Sequence, residues 1–170
     1  MSATDPPIWQ RLARRVAHGL AVIGVVVLLL QAASIVLDAG ARWLLDTPIR
    51  GLEDLNGFLI PVTLTSFMPA LFMERGNITV SLLGRALGRR AWHWLDIFGQ
   101  TLALIFIGAV ALGYGRYAAD LEGRHTVIIA LELEPAAWAA TALLGLAALA
   151  QILVIVGTAT TMRKGTGETE

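Results

Sequence analysis

The feature that most restricts the fold is a charge-free apolar run near the start of the sequence, VIGVVVLLLQAASIVL, which ends at Leu37. A helix that crosses the hydrocarbon core of a bilayer needs about 20 mostly apolar residues, because the core is about 30 Å thick and each residue adds about 1.5 Å. Four stretches satisfy that length: residues 16–37, 52–73, 95–115 and 135–156. The sequence therefore predicts an all-α integral membrane protein with four transmembrane helices.

The composition agrees with a membrane protein. Hydrophobic residues make up 56% of the 170-residue chain and charged residues only 15%, whereas soluble domains average about 45–50% and about 25%. No segment outside the spans is long enough for a separate soluble domain. We therefore predict a single membrane domain over residues 1–170, with flexible cytoplasmic tails at residues 1–10 and 162–170. A net charge of zero argues against a nucleic-acid partner.

The basic residues predict how the chain is oriented. Nine of them lie before the first span, in the second loop or in the C-terminal tail, and four lie in the first and third loops. Loops rich in Lys and Arg stay in the cytoplasm. We therefore expect both termini and the second loop to be cytoplasmic, and the first and third loops to lie on the opposite side.

The second loop carries an amphipathic pattern. On a helical wheel, Val80, Leu83 and Leu87 share one face and basic residues share the opposite one. This pattern is typical of a helix that lies in the headgroup layer and binds anionic lipid. The residues expected to anchor that helix are Arg85, Arg89, Trp92 and Trp94. The alternative is a short solvated connector.

The predicted spans contain little that could perform chemistry. Charged residues inside a membrane usually mark a functional site, and none lies near the middle of any span. The uncharged polar residues there are expected to bond neighbouring helices. They are Gln31, Ser34, Thr63, Thr65, Ser66, Gln100, Thr101, Thr141 and Gln151. Small residues at four-residue spacing also predict helix contacts, namely Ala137–Thr141–Gly145, Gly99–Ala103 and Ala109–Gly113.

No catalytic, cofactor-binding or metal-binding residue is predicted. The chain has no cysteine, so thiolate metal sites and a cysteine nucleophile are excluded. A haem held by two histidines would need both rings at one depth, whereas His18 and His125 are predicted at opposite faces of the membrane. The common catalytic and phosphate-binding motifs are absent as well.

Two segments around the second span resemble a known family. They read RWLLDTPIRGLEDL, residues 42–55, and ERGNITVSL, residues 74–82. An Arg–aromatic pair, a Pro–Ile step and two acids that open the second helix are similar to the small membrane subunit of tripartite ATP-independent periplasmic (TRAP) transporters, the DctQ-type family. Here they are Arg42–Trp43, Pro48–Ile49 and Glu53–Asp54. The chain departs from the family pattern at Gly51, Asn77 and Ser81.

The resemblance implies a role in transport without catalysis. It implies a small scaffold subunit, without a cofactor, of a sodium-coupled importer of organic acid anions such as C4-dicarboxylates. Such a subunit braces a large multi-span permease in the bacterial inner membrane and helps to dock a periplasmic substrate-binding protein. Sodium and substrate are then expected on the large subunit.

The residues that carry the resemblance are also candidate contact residues. We expect Arg42, Glu53 and Asp54 to contact the large subunit or the receptor, and the two acids to pair with Arg42 or Arg50. Two other functions stay open from the sequence. One is a self-sufficient four-span transporter that works as an oligomer, which needs a charged pivot in a span. The other is the membrane anchor of a redox enzyme, which needs paired histidines within the membrane.

Overall fold

The structure, a computed structural model, describes residues 8–74, 89–126 and 128–165, and the side chains of residues 8–74, 95–126 and 128–157. These residues form four α-helices: α1 Ile8–Leu45, α2 Leu52–Met73, α3 Arg89–Ala119 and α4 Glu134–Gly165. Each contains a stretch long and apolar enough to cross a membrane. The predicted all-α fold with four membrane-spanning helices is therefore confirmed.

The helices are longer than the predicted spans. Helix α1 has 38 residues, because the apolar run sets only the part inside the hydrocarbon, and the Arg-, Ala- and Leu-rich flanks are good helix formers. Its rise from Arg14 to Arg42 is about 42 Å, close to the thickness of a bilayer with its headgroups, about 40–45 Å. The helix stops before Asp46, which has a φ of 56°, and Pro48 prevents its continuation.

Parts of the predicted tails are helical. Helix α1 begins within residues 1–10, and α4 continues into residues 162–170 as far as Gly165. The remaining tail residues lie outside the described part of the chain. So does most of the predicted interfacial helix, since the described chain resumes only at Arg89, where α3 begins.

The four helices share their contacts unequally. Helix α2 packs against both α1 and α4, and α4 packs in addition against α3. Helices α2 and α4 therefore lie between the flanking helices α1 and α3. Only 11% of the apolar window is buried in each flanking helix, against 22% in α2 and 28% in α4. The flanking helices thus present broad apolar faces outward.

Small side chains dominate the buried contacts. The three clusters centre on Ala17 with Met73 and Ala150, on Ile107 with Leu144 and Ala147, and on Ala118 with Leu121 and Ala137. Small residues let helix backbones approach closely. The prediction of small-residue contacts is right for Ala137, whereas Gly99, Gly113 and Gly145 have no described atom near the place of a Cβ. These three glycines therefore do not mark a contact within the described chain.

Candidate subunit-contact site

The candidate contact residues lie at one end of the helices, where the α1–α2 loop and the α3–α4 loop meet. We call this the loop end, and the opposite end, where α1 begins and α2 and α4 finish, the terminal end. Arg42 is in the last turn of α1, and Glu53 and Asp54 are in the first turn of α2. Acids in a first turn stabilise a helix by opposing its dipole.

Arg42 joins the two helices. Its Nη2 donates a hydrogen bond of 2.6 Å to Oε1 of Glu53, and its Nε donates one of 2.8 Å to Oδ2 of Asp38. Both are ion pairs. The expected pairing of an acid with Arg42 is thus found for Glu53. We call Asp38, Arg42 and Glu53 the clasp.

Asp38 is the member of the clasp that the sequence analysis missed. Its side chain is largely buried, and its second oxygen accepts a hydrogen bond of 2.8 Å from the backbone N–H of Ile49. One carboxylate therefore orients Arg42 and also fastens the α1–α2 loop. Two signals for this role were present in the sequence: Asp38 directly follows the apolar run, and Arg42 lies four residues on, where a helix brings opposite charges together.

Asp54 has a different partner from the one predicted. We expected it to pair with Arg42 or Arg50, but its Oδ2 accepts hydrogen bonds of 2.7 Å from the N–H of Ile128 and 3.0 Å from that of Ile129. These amides lie in the α3–α4 loop, far from Asp54 in sequence. A charged acceptor strengthens such bonds. Asp54 therefore fastens the second loop of this end to α2.

A glycine lets the two loops touch. Gly51 precedes α2 with a φ of 84°, a conformation that glycine adopts readily. The side chain of Ile129 packs where a Cβ at Gly51 would stand. Any larger residue at position 51 would displace the loop that Asp54 holds.

The α3–α4 loop is itself ordered by short-range bonds. Thr126 N–H donates to the carbonyl of Leu131 at 2.8 Å, and Leu131 N–H donates to the hydroxyl of Thr126 at 2.9 Å. An isolated antiparallel bridge joins His125 to Glu132. Together with Asp54, these bonds set the position of the loop tip at Ile128 and Ile129.

Exposed apolar side chains surround these polar contacts. Trp43 is 84% exposed, Leu44 72% and Leu45 70%, and the loop tip at Ile128 is 53% exposed. Side chains of this kind are common at the membrane interface, where tryptophan is enriched, and at the centre of protein interfaces. The loop end therefore combines a fixed polar framework with an apolar rim.

Of the nine span residues expected to bond a neighbouring helix, only Ser34 and Gln151 do so through their described side chains. The buried Gln31 amide and Thr63 hydroxyl have no partner among the described residues.

The hydroxyls of Thr65, Thr101 and Thr141 donate to carbonyls of their own helices. Gln151 Nε2 donates to the backbone carbonyl of Gln100 at 3.0 Å, which joins α4 to α3. Among the described side chains, no three of the types His, Asp and Glu come together as a metal-binding group. The described hydrogen bonds are suited to holding the helices and loops of this chain together.

The four predicted lipid-interface residues are not placed by the structure. Arg85 lies outside the described residues. Arg89, Trp92 and Trp94 belong to the first turns of α3, but their side chains are outside the described part. Their role as an anchor stays a prediction.

One of the three comparisons with known proteins gives a match, and that match agrees with the resemblance. Comparison with proteins of curated function and with solved structures gives no significant match. A family model does match, described as the DctQ component of tripartite ATP-independent periplasmic transporters, over residues 31–161. That stretch includes the clasp, both loops of the loop end and most of the four-helix fold. The chain therefore belongs to the DctQ family, the small membrane components of TRAP transporters.

Proposed function

We propose that this chain is the non-conducting scaffold subunit of a sodium-driven TRAP importer of organic acid anions, such as C4-dicarboxylates. It braces the large permease subunit, and its loop end helps to dock the periplasmic receptor. Both termini lie in the cytoplasm of the bacterium, and the loop end faces the periplasm. Sodium and substrate bind the large subunit.

The observation that carries this proposal is the separation of charge from the membrane interior. Every acid and base of the described helices lies near a helix end, and the polar groups between the ends are uncharged. An anion that crosses a membrane needs compensating charge on its path. No charged side chain lies in the middle of the described spans, and a scaffold subunit does not need one there.

The packing supports the bracing role. Helices α1 and α3 bury little of their apolar windows, so each offers a long face to lipid or to the helices of a larger subunit. If the chain were a self-sufficient oligomeric transporter, its spans would have to supply a charged pivot. The sequence has no charged residue near the middle of a span. A redox anchor is disfavoured by membership of a transporter family.

The loop end supports the docking role. The three charged candidate residues of the loop end are engaged in contacts within the chain. Arg42 and Glu53 pair with each other, and Asp54 holds the α3–α4 loop. We therefore infer that they act by presenting the apolar rim of Trp43, Leu44 and the loop tip in one geometry. Preorganised surfaces bind more tightly because less freedom is lost on binding.

Reconstitution tests the transport role. Proteoliposomes with this chain alone, with the large subunit alone and with both together are supplied with receptor, labelled C4-dicarboxylate and an inward sodium gradient. We expect uptake only when both subunits are present, and its loss without the gradient. Uptake by this chain alone would overturn the scaffold role, and uptake by the large subunit alone at the full rate would overturn the bracing role.

Co-purification tests the loop end. The double variant Glu53→Ala with Asp54→Ala is expected to recover less of the large subunit and to support less uptake. The matched control is the double variant Asp120→Ala with Glu122→Ala, which removes two exposed acids of the same end. The variant Trp43→Ala leaves the clasp intact and is expected to lower recovery or receptor-dependent uptake. Normal recovery and normal uptake for both loop-end variants would remove the contact role.

A further inference from the structure

A small cleft opens at the terminal end, away from the loop end. It has a volume of about 130 Å³ and lies where the start of α1 meets the ends of α2 and α4. Gln10, Arg11 and Arg14 line it from α1, and Met73 lines it from α2. Leu153, Val154 and Gly157 complete it from α4. Two guanidinium groups therefore share one recess with apolar walls.

The cleft lies at the depth of lipid headgroups. The rise of about 42 Å between Arg14 and Arg42 places these residues near opposite faces of a bilayer about 40–45 Å thick. The first predicted span, residues 16–37, begins shortly after Arg14. Just inside the cleft, Ala17, Met73 and Ala150 form a buried apolar cluster. The recess thus opens where phosphate groups of a leaflet lie.

The lining suits a phosphate that carries apolar chains. A guanidinium offers several donors in a planar fork that fits phosphate oxygens, and the Gln10 amide adds two donors. The volume of about 130 Å³ is well above the roughly 10–15 Å³ that one water-sized group requires, so the recess has room for a phosphate group. Glu74, which follows Met73, is not among the lining residues, and its Oε1 lies 3.8 Å from Nδ1 of His18.

We propose that this cleft binds the phosphate of an anionic phospholipid, with Arg11, Arg14 and Gln10 as donors and with the acyl chains leaving along the apolar wall of α4. The bound lipid joins the start of α1 to the ends of α2 and α4. This site is separate from the loop end and does not depend on the transport role.

Lipid titration of the full-length chain in mild detergent tests the proposal, with native mass spectrometry as the measurement. The probes are a short-chain phosphatidylglycerol, the matching phosphatidylcholine and inorganic phosphate. We expect phosphatidylglycerol to bind several-fold more tightly than phosphatidylcholine. Preference for phosphatidylcholine, no preference, or binding of inorganic phosphate that phosphatidylglycerol does not displace would overturn the proposal.

Variants locate the site. The double variant Arg11→Gln with Arg14→Gln is expected to weaken phosphatidylglycerol binding tenfold or more. Arg15→Gln removes one charge, half of that lost in the double variant, from an exposed neighbour that does not line the cleft, and it is expected to stay within twofold of the natural chain. An equal loss for both would show a general surface attraction and overturn the site.

A steric variant keeps the charge unchanged. A Cβ at Gly157 would stand 2.8 Å from Nε2 of Gln10, so Gly157→Leu is expected to fill the recess and weaken binding by a similar factor. Binding at the natural level, in a variant whose thermal unfolding is unchanged, would contradict the site. If Gly157→Leu does not fold, the arginine variants decide.

Discussion

The contact between α1 and α2 and the contact between α3 and α4 are built differently. In the first, Gly24 lies beneath Ser66 and Phe67, and Asn56 Nδ2 donates a hydrogen bond of 3.3 Å to Ser34 Oγ. The second rests on close-packed small and apolar residues such as Ile107 and Ala147, with one described side-chain hydrogen bond between its helices.

The difference shows two solutions to one physical problem. Lipid tails are as apolar as leucine, so burial of apolar side chains gives helices in a membrane little reason to associate. Close packing of small residues and hydrogen bonds between helices remain as the sources of attraction. The α3–α4 contact relies mainly on packing, and the α1–α2 contact adds polar groups to it. Four experiments separate these contributions, each measured by thermal unfolding of the detergent-solubilised chain through tryptophan fluorescence.

The largest change in the free energy of unfolding is expected for a substitution at Ala147. This residue is 0% exposed, against Ile107 and Leu144, so Ala147→Leu overpacks the α3–α4 contact. Overpacking a closely packed site costs about 1–3 kcal/mol, and we expect the free energy of unfolding to fall by that amount. The control is Ala142→Leu, which makes the same change on an exposed position of α4. A similar loss for both variants would mean that close packing does not hold this pair.

The next effect is expected at Gly24. A Cβ there would overlap Oγ of Ser66, so Gly24→Ala is expected to lower the stability by about 1 kcal/mol through overpacking. Gly19→Ala is the matched control in the same helix, because the place of its Cβ is open. Alanine is a better helix former than glycine by about 0.5–1 kcal/mol, so the control is expected to raise the stability. Two changes of the same sign would contradict a close approach at Gly24.

Replacement of Gln31 is expected to raise the stability of the protein. Its side chain is buried, and neither amide atom has a hydrogen-bond partner among the described residues. An unpaired buried polar group costs free energy, so Gln31→Leu is expected to raise the stability by about 1 kcal/mol. Gln151→Leu is the comparison, since that amide does have a partner, and it is expected to lower the stability by about 0.6 kcal/mol. A loss at Gln31 would show that its amide is satisfied in the folded protein.

The smallest effect is the hydrogen bond between Ser34 and Asn56. Bonds of this kind in membrane bundles are worth about 0.6 kcal/mol on average. A double-mutant cycle with Ser34→Ala and Asn56→Ala is expected to give a coupling energy of about that size. A coupling near zero would leave the close approach at Gly24 and the Arg42–Glu53 ion pair to hold α1 against α2.

Much of the fold was accessible to sequence analysis, but only part of the candidate site was. The four spans followed from apolar length, and Arg42 and Glu53 were recognised from a local motif. Asp38 was missed because Arg42 was paired in the prediction only with the acids of α2, and because the N–H of Ile49 reaches Asp38 only through the bend of the chain after Leu45. The partner of Asp54 was predicted wrongly. Its partners are the backbone amides of Ile128 and Ile129, and a contact with backbone amides in a distant loop cannot be predicted from the residues around Asp54.

The amino-acid sequence by itself determined that this chain crosses a membrane four times and carries no charge midway, because the cost of burying a charge in lipid acts on every residue separately. It also determined family membership, through short motifs and the order of the spans. The tertiary structure alone decided which helices flank and which lie between, which glycines meet a neighbour, and which amides the loop-end acids hold. Those outcomes depend on distances between residues remote in sequence, and hydrogen bonds and close packing act only over a few ångströms.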